Sequence, residues 1–114
     1  MSKEFIPYEE ALALKELGFD EFTVAAYVDN ELDIGGLWKD SVTSKVIHKA
    51  PTYSQAFRWF REKYSLYHII ALSGDVFLCT IDISSWTDKT KTYDEAELAC
   101  LKKLIEIVKN KESV

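Results

Sequence analysis

One short phrase occurs three times in this chain, and it constrains the fold more than any other feature of the sequence. The phrase is Pro or Thr, then Tyr, any residue, Glu or Gln, and Ala, and it occupies residues 7–11, 52–56 and 92–96. Each copy opens a run in which apolar residues recur three or four positions apart, the spacing of one helix face. We therefore expect each copy to begin a helix.

The three copies use two kinds of helix start. Thr52 and Thr92 are placed to cap a helix. Gln55 and Glu95 lie three residues further on, where a side chain reaches back to the N–H of the cap. Pro7 suits the opening turn of a helix, where its missing N–H is no loss.

Turn residues and clusters of β-branched and aromatic residues complete the expected order of elements. The predicted helices cover residues 7–17, 53–64 and 93–109, and the predicted strands cover residues 22–28, 31–34, 45–49, 66–72 and 76–84. Residues 29–30 and 73–75 are typical of hairpin turns. Residues 37–44 are typical of a surface loop, and residues 87–91 of a polar connector.

This order predicts an α+β fold of the form α-ββ-α-ββ-α. Strands joined by tight turns pair antiparallel, so we expect a four-stranded, mainly antiparallel sheet with the helices packed on one face. A chain of 114 residues predicts a single domain over residues 1–114. The repeated phrase divides it into two αββ units, residues 5–50 and 51–91, and a closing helix at 92–110. Internal duplication and convergence on good caps both explain the repeat.

The last predicted strand has one face that is apolar throughout. Phe77, Cys79, Ile81 and Ile83 alternate along it, so they share a face of the sheet. We expect that face to contact the helices.

The composition is that of a globular protein, with 47% hydrophobic and 29% charged residues. The formal net charge of −5 argues against general nucleic-acid binding, which depends on Lys and Arg neutralising phosphates. No apolar run is long enough to span a bilayer, and the charged start does not resemble a signal peptide. We therefore expect a cytoplasmic protein without a membrane association.

The two cysteines, Cys79 and Cys100, stand among apolar neighbours. We expect two buried, reduced thiols in preference to a disulfide, since a reducing compartment disfavours the bond. Neither has the spacing of a zinc ligand, and the sequence predicts no metal site and no cofactor.

The third predicted helix has an unusually wide apolar arc, about half of its circumference. The arc is formed by Leu98, Cys100, Leu101, Leu104, Ile105, Ile107 and Val108. A helix on one side of a sheet shows a narrower stripe. We expect this helix to pack on the sheet and also on either a neighbouring helix or a second copy of the chain, which favours a homodimer.

The second predicted helix carries the candidate binding surface. Trp59 points about 120° away from the centre of the apolar stripe of this helix. Arg58 and Arg61 flank it, Lys63 lies close, and Trp38 falls on the predicted surface loop. An exposed Trp between arginines has the composition of a binding hot spot, and it also suits stacking on a nucleotide whose phosphates meet the arginines.

A structural alternative for Trp59 remains open. Its indole is also explained as part of a small satellite core beneath Trp38, beneath Trp86 or beneath the adjacent loop.

Three titratable residues are candidates for acid–base chemistry. His48 and His68 lie on predicted strands, and with a nearby carboxylate such a pair does acid–base work near neutral pH. The alternative is two solvent-facing strand histidines. Glu97 falls inside the apolar arc of the third helix, where burial would raise its pKa, or where it reaches solvent or makes one hydrogen bond.

Two helical stretches, residues 50–64 and 93–105, resemble a family of small hypothetical proteins of bacteriophages, prophages and gut bacteria. The opening residues 5–11 and 18–20 are similar to that family as well, so the resemblance covers about half of the chain. No activity is assigned to the family. The resemblance implies a viral or mobile-element origin, and it transfers no catalytic residue.

Three hypotheses follow. The first is a non-enzymatic, homodimeric protein-interaction module that engages a protein partner through the surface around Trp59; a host-defence antagonist is one form of it. The second is a protein that binds and sequesters a small molecule or nucleotide at the same surface. The third is a small hydrolase that uses His48 and His68.

Overall fold

A computed structural model describes residues 4–34, 47–81 and 86–112, and these residues form an α+β fold with three helices and two three-stranded antiparallel sheets. The chain divides into two compact units, Met1–Tyr53 and Ser54–Val114. The elements in chain order are α1 (Tyr8–Glu16), β1 (Ala25–Val28), β2 (Glu31–Ile34), β3 (Ile47–Lys49), α2 (Tyr53–Tyr64), β4 (His68–Ser73), β5 (Val76–Ile81), β6 (Thr87–Thr90) and α3 (Tyr93–Glu112). The α+β class is confirmed, and the predicted loop at residues 37–44 lies outside the described residues.

The repeated phrase correctly predicted three helices, and Tyr8, Tyr53 and Tyr93 are each the first residue of one. The first helix begins one residue later than predicted, because Pro7 is extended and precedes it. Before α3, the Glu95 N–H donates to Thr92 Oγ1 and the Thr92 N–H donates to Glu95 Oε1, both at 3.1 Å. These reciprocal bonds satisfy two donors that a helix start would otherwise leave open.

Removing this cap should destabilise the protein measurably. Thr92→Ala deletes the hydroxyl that accepts from Glu95, and we expect it to lower the free energy of unfolding by about 1 kcal/mol. Glu95→Gln keeps an acceptor oxygen three residues into the helix and should cost less. Urea denaturation measures both, and a Thr92→Ala curve that overlays the wild type would contradict a stabilising cap.

The end of α1 also follows the sequence prediction. Gly18 has a φ of +99°, in the left-handed region that a helix terminator adopts. Its N–H donates to the Lys15 carbonyl at 3.0 Å, and the Phe19 N–H donates to the Leu14 carbonyl at 2.9 Å. This is the Schellman arrangement, which satisfies carbonyls that the helix itself leaves unbonded.

The first unit contains a sheet with the order β2-β1-β3. Asp29 and Asn30 both have positive φ, +52° and +74°, as a two-residue hairpin turn of type I′ requires. The predicted turn at residues 29–30 is therefore confirmed. The sheet packs on a small core of Phe5, Ala25 and Ala50.

The second unit contains a sheet with the order β4-β5-β6. The predicted hairpin is confirmed, with Gly74 at a φ of +65° in its turn. The predicted single four-stranded sheet is wrong, because the described strands form two three-stranded sheets, one in each unit. The two sheets also differ in strand order: the central strand is β1, the first in the chain, in the first unit and β5, the second in the chain, in the second unit.

The sequence prediction missed one strand and shortened one helix. The predicted polar connector at residues 87–91 contains β6, which pairs with β5 along its whole length. Its polar residues misled the prediction because an edge strand that faces water carries charged and polar side chains. The helix α3 continues to Glu112 instead of ending at Lys109.

The core of the second unit lies between α3 and one face of its sheet. Cys79 and Ile81 of β5 are fully buried, and β5 contacts α3, so the prediction that this face meets a helix is confirmed; Ile83 lies outside the described residues. On α3 the buried residues are Ala96, Cys100, Leu101, Leu104, Ile105 and Val108. The helix contacts all three strands of the sheet, so this sheet accounts for a large part of its wide apolar arc.

Among the described residues, no helix is long and apolar enough to cross a membrane.

Candidate functional site

Trp59 is buried, with only 6% of its surface exposed. Its ring meets Phe60 and Tyr64 edge-on, with ring centroids 5.1 Å and 5.5 Å apart. The expectation of an exposed indole is therefore wrong, and the alternative of a buried indole is supported. Its expected place beneath Trp38, Trp86 or the adjacent loop stays a prediction. Trp59 lies outside the single apolar stripe of α2 but is buried all the same, because an indole has so much apolar area that leaving it in water is costly.

The basic residues near Trp59 remain on the surface of α2. Arg58 and Lys63 are exposed, and Arg61 is half-buried. The Lys63 amine lies 5.1 Å from the centroid of the Trp59 ring, so it covers the indole instead of extending a surface around it. Trp38 lies outside the described residues. The binding role of this group stays a prediction.

His68 lies in an apolar setting at the start of β4. Its ring stacks on Phe57, with centroids 3.7 Å apart and an angle of 17° between the planes. Burial, and then the positive charge of Arg61, lower the pKa of His68 to about 4. The imidazole is therefore neutral at neutral pH.

His48 is buried in the first unit, on β3 opposite Tyr27 of β1. Its ring lies 5.7 Å from the ring of Tyr8. Within the described part of the chain, its Nδ1 atom has no hydrogen-bond partner. Burial, and then the charge of Lys15, lower the pKa of His48, so this imidazole too favours its neutral form.

The two histidines belong to different units, and each lies against an aromatic side chain of its own unit. The expectation of solvent-facing histidines is wrong for His48, which is buried, and His68 is half-buried. The hydrolase hypothesis needs both imidazoles and a carboxylate at one place, and it stays a prediction.

Glu97 is half-buried on α3. Burial, and then the neighbouring Asp94, raise its pKa. This is the environment that the wheel predicted for a carboxylate inside the apolar arc. A catalytic role for Glu97 stays a prediction.

The structure brings Cys79 and Cys100 together, which the sequence did not predict. Both thiols are free and buried. Cys79 Sγ donates to the Asp88 carbonyl at 3.5 Å, and the Cys100 thiol hydrogen-bonds to Cys79. Burial, and then the neighbouring Cys79, raise the pKa of Cys100 to about 12. Two protonated thiols of this kind are inert at neutral pH, because the thiolate is the reactive form.

A cleft beside Trp86 in the second unit has a volume of about 290 Å³. It is lined by Trp86, Asp88, Ala99, Lys102, Lys103 and Glu106. Lys103 Nζ lies 2.6 Å from Glu106 Oε2, so a carboxylate neutralises the charge of this lysine within the cleft. The nucleotide hypothesis stays a prediction. Residues 4–34, 47–81 and 86–112 contain no group of three His, Cys, Asp or Glu side chains that could hold a metal ion.

The face of the second sheet opposite α3, here called the outer face, is apolar at one side. Directly paired residues share a face, so the register places Ile69 in a row with Thr80 and Thr87 across the three strands. The next row runs from Ala71 through Leu78 to a lysine on β6. The side chain of Ile69 is 54% exposed. The β4 side of the outer face is therefore apolar and accessible, and the β6 side is polar.

The two edges of this sheet differ in the same way. The β6 edge carries Asp88 and Lys89, and such charges discourage another strand from pairing there. The β4 strand has the sequence His-Ile-Ile-Ala-Leu-Ser, without an acidic residue, a lysine, an arginine or a proline. Leu72, on the helix side of β4, is 65% exposed, and Tyr67 just before the strand is 49% exposed. Sequence reasoning missed this surface, although the absence of charge over residues 64–74 was a readable signal.

Comparison with known proteins gives no relative for this chain: no protein-family model, curated protein or solved structure matches it. The resemblance to small phage and prophage proteins stays a prediction.

Proposed function

We propose that this chain is a non-enzymatic protein-interaction module and that its contact surface is β4 with the apolar side of the outer face. The single observation that supports this is the pairing of an uncharged edge strand with exposed large apolar side chains. A strand edge offers backbone N–H and C=O groups to an incoming strand, and neighbouring side chains add selectivity. This surface replaces the one around Trp59, whose indole is buried.

The partner is a protein of a bacterial host, met in the cytoplasm. The resemblance to phage and prophage proteins is the reason to seek it there. Strand addition also suits an accessory protein of this size, because the backbone supplies most of the contact and a small domain needs few specialised side chains.

Affinity capture from a bacterial extract tests the proposal. Ile69→Lys places a charge in the middle of the apolar surface, and we expect it to abolish the retention of proteins that the wild type captures. Thr87→Lys places the same charge in the same cross-strand row but at the β6 edge, and it should capture as the wild type does. Both positions are exposed, so both variants should fold. Equal capture by all three proteins would refute the proposed surface.

A further inference from the structure

We propose that β4 of this chain pairs antiparallel with β4 of a second copy, so that two three-stranded sheets join into one six-stranded sheet in a twofold homodimer. The inference rests on the proposed function in one respect, since it uses the same surface. It names the occupant of that surface when no foreign strand is bound.

The first observation for self-pairing is an edge of β4 to which no described strand is hydrogen-bonded. In the part of the chain that the structure describes, β4 pairs with β5 and with no other strand. Every second residue of such a strand points its N–H and C=O away from the sheet. Six residues of edge strand are of ordinary length for stable pairing.

The second step is that nothing on β4 opposes pairing. Edge strands that avoid association carry Lys, Pro or an inward charge, or they are very short. None of these is present between His68 and Ser73. The opposite edge, β6, has two charges within four residues. Only the β6 edge therefore carries the charges that discourage strand pairing.

A second copy is the occupant that we assign to this edge when no foreign strand is bound. β4 has no acidic or strongly basic residue, so a second β4 meets no like charge on it. A twofold contact needs only a surface that complements itself. Two uncharged strands meet this requirement although each chain has a net charge of −5, because the approach brings no like charges of β4 together.

A register centred on Ile70 satisfies the geometry of such a pair. Opposite residues of an antiparallel pair share a face, so the twofold axis passes beside one residue and its own copy. With Ile70 at the axis, Ile69 lies opposite Ala71 of the second copy on the outer face. Apolar side chains then meet across the junction. Centring on Ala71 would instead set Ile69 against Ser73.

Sedimentation equilibrium from about 1 to 100 µM tests the inference on the full chain. We expect the wild type and Thr87→Lys to be dimers and Ile69→Lys to associate at least about 10-fold more weakly, because the two added positive charges would lie at diagonal positions across the new strand pair and repel each other. A wild type that is monomeric at 100 µM overturns the inference. So does a dimer that Ile69→Lys leaves equally tight, since such a dimer uses another surface.

Hydrogen exchange on the wild type gives a second measurement that needs no variant. On dilution below the dissociation constant, amides of β4 should lose protection while those of β5 keep it. Unchanged protection of β4 on dilution contradicts the pairing. Failure of self-pairing is distinguishable from failure of the proposed function: a monomeric wild type whose capture of host proteins still depends on Ile69 overturns only the homodimer.

Discussion

Trp59→Ala is expected to lower the free energy of unfolding by about 3 to 5 kcal/mol. The indole is 6% exposed and packs against Phe60 and Tyr64, so its removal leaves a cavity and exposes the ring that lies 5.1 Å away. A domain of this size is stable by only about 5 to 15 kcal/mol, so the loss is a large share of its stability. Chemical denaturation followed by circular dichroism measures it.

Two further variants make this result specific. Trp59→Phe keeps much of the apolar contact and should cost about half as much. Glu62→Ala changes an exposed residue on the same helix and should stay within about 0.5 kcal/mol of the wild type. A Trp59→Ala protein as stable as the wild type would contradict the burial of this indole. It would support the exposed binding surface that was predicted from the sequence.

The second large effect is a loss of stability in acid that depends on His68. The pKa of this imidazole falls from 6.5 to about 4 on folding, so between these values the unfolded chain binds the additional proton. Its contribution to stability is complete above pH 6.5 and is lost as the pH falls toward 4. If the His68 imidazole were fully buried, the free energy of unfolding would fall by about 2.5 kcal/mol between about pH 7.5 and pH 4.5. Because the imidazole is partly exposed, we expect a fall of about 1 to 2 kcal/mol.

Comparison with His68→Phe isolates this effect. Phe keeps a planar ring against Phe57 and takes up no proton, so the variant should lose about 1 to 2 kcal/mol less than the wild type between the two pH values. Other groups with shifted pKa values, such as His48 and Glu97, are present in both proteins and cancel in the difference. His68→Gln, also uncharged, should behave in the same way. Identical acid sensitivity in all three proteins would contradict a buried neutral imidazole at this position.

Local features were the ones that the sequence could predict. A helix cap is decided within four residues, so Thr92 and Glu95 showed where α3 begins. The turns at residues 29–30 and 73–75 are likewise decided by the φ preferences of a few neighbours. Alternation along β5 correctly placed Cys79 and Ile81 on the helix side.

Long-range features were not predictable in the same way. Whether strands form one sheet or two depends on pairing between distant residues, about which hydrophobic periodicity says nothing. The β6 strand looked like a connector because edge strands tolerate charge. Trp59 was misplaced because a helical wheel shows the angle between side chains but not how many surfaces a helix contacts.

The buried thiols of Cys79 and Cys100 can report when α3 separates from the second sheet. One thiol lies on β5 and the other on α3, and both are shielded from solvent. An alkylating reagent therefore labels the folded chain only during the moments when the helix lifts from the sheet. The rate of labelling therefore gives the frequency of that motion without an engineered probe, and no residue on the protein surface has to be changed.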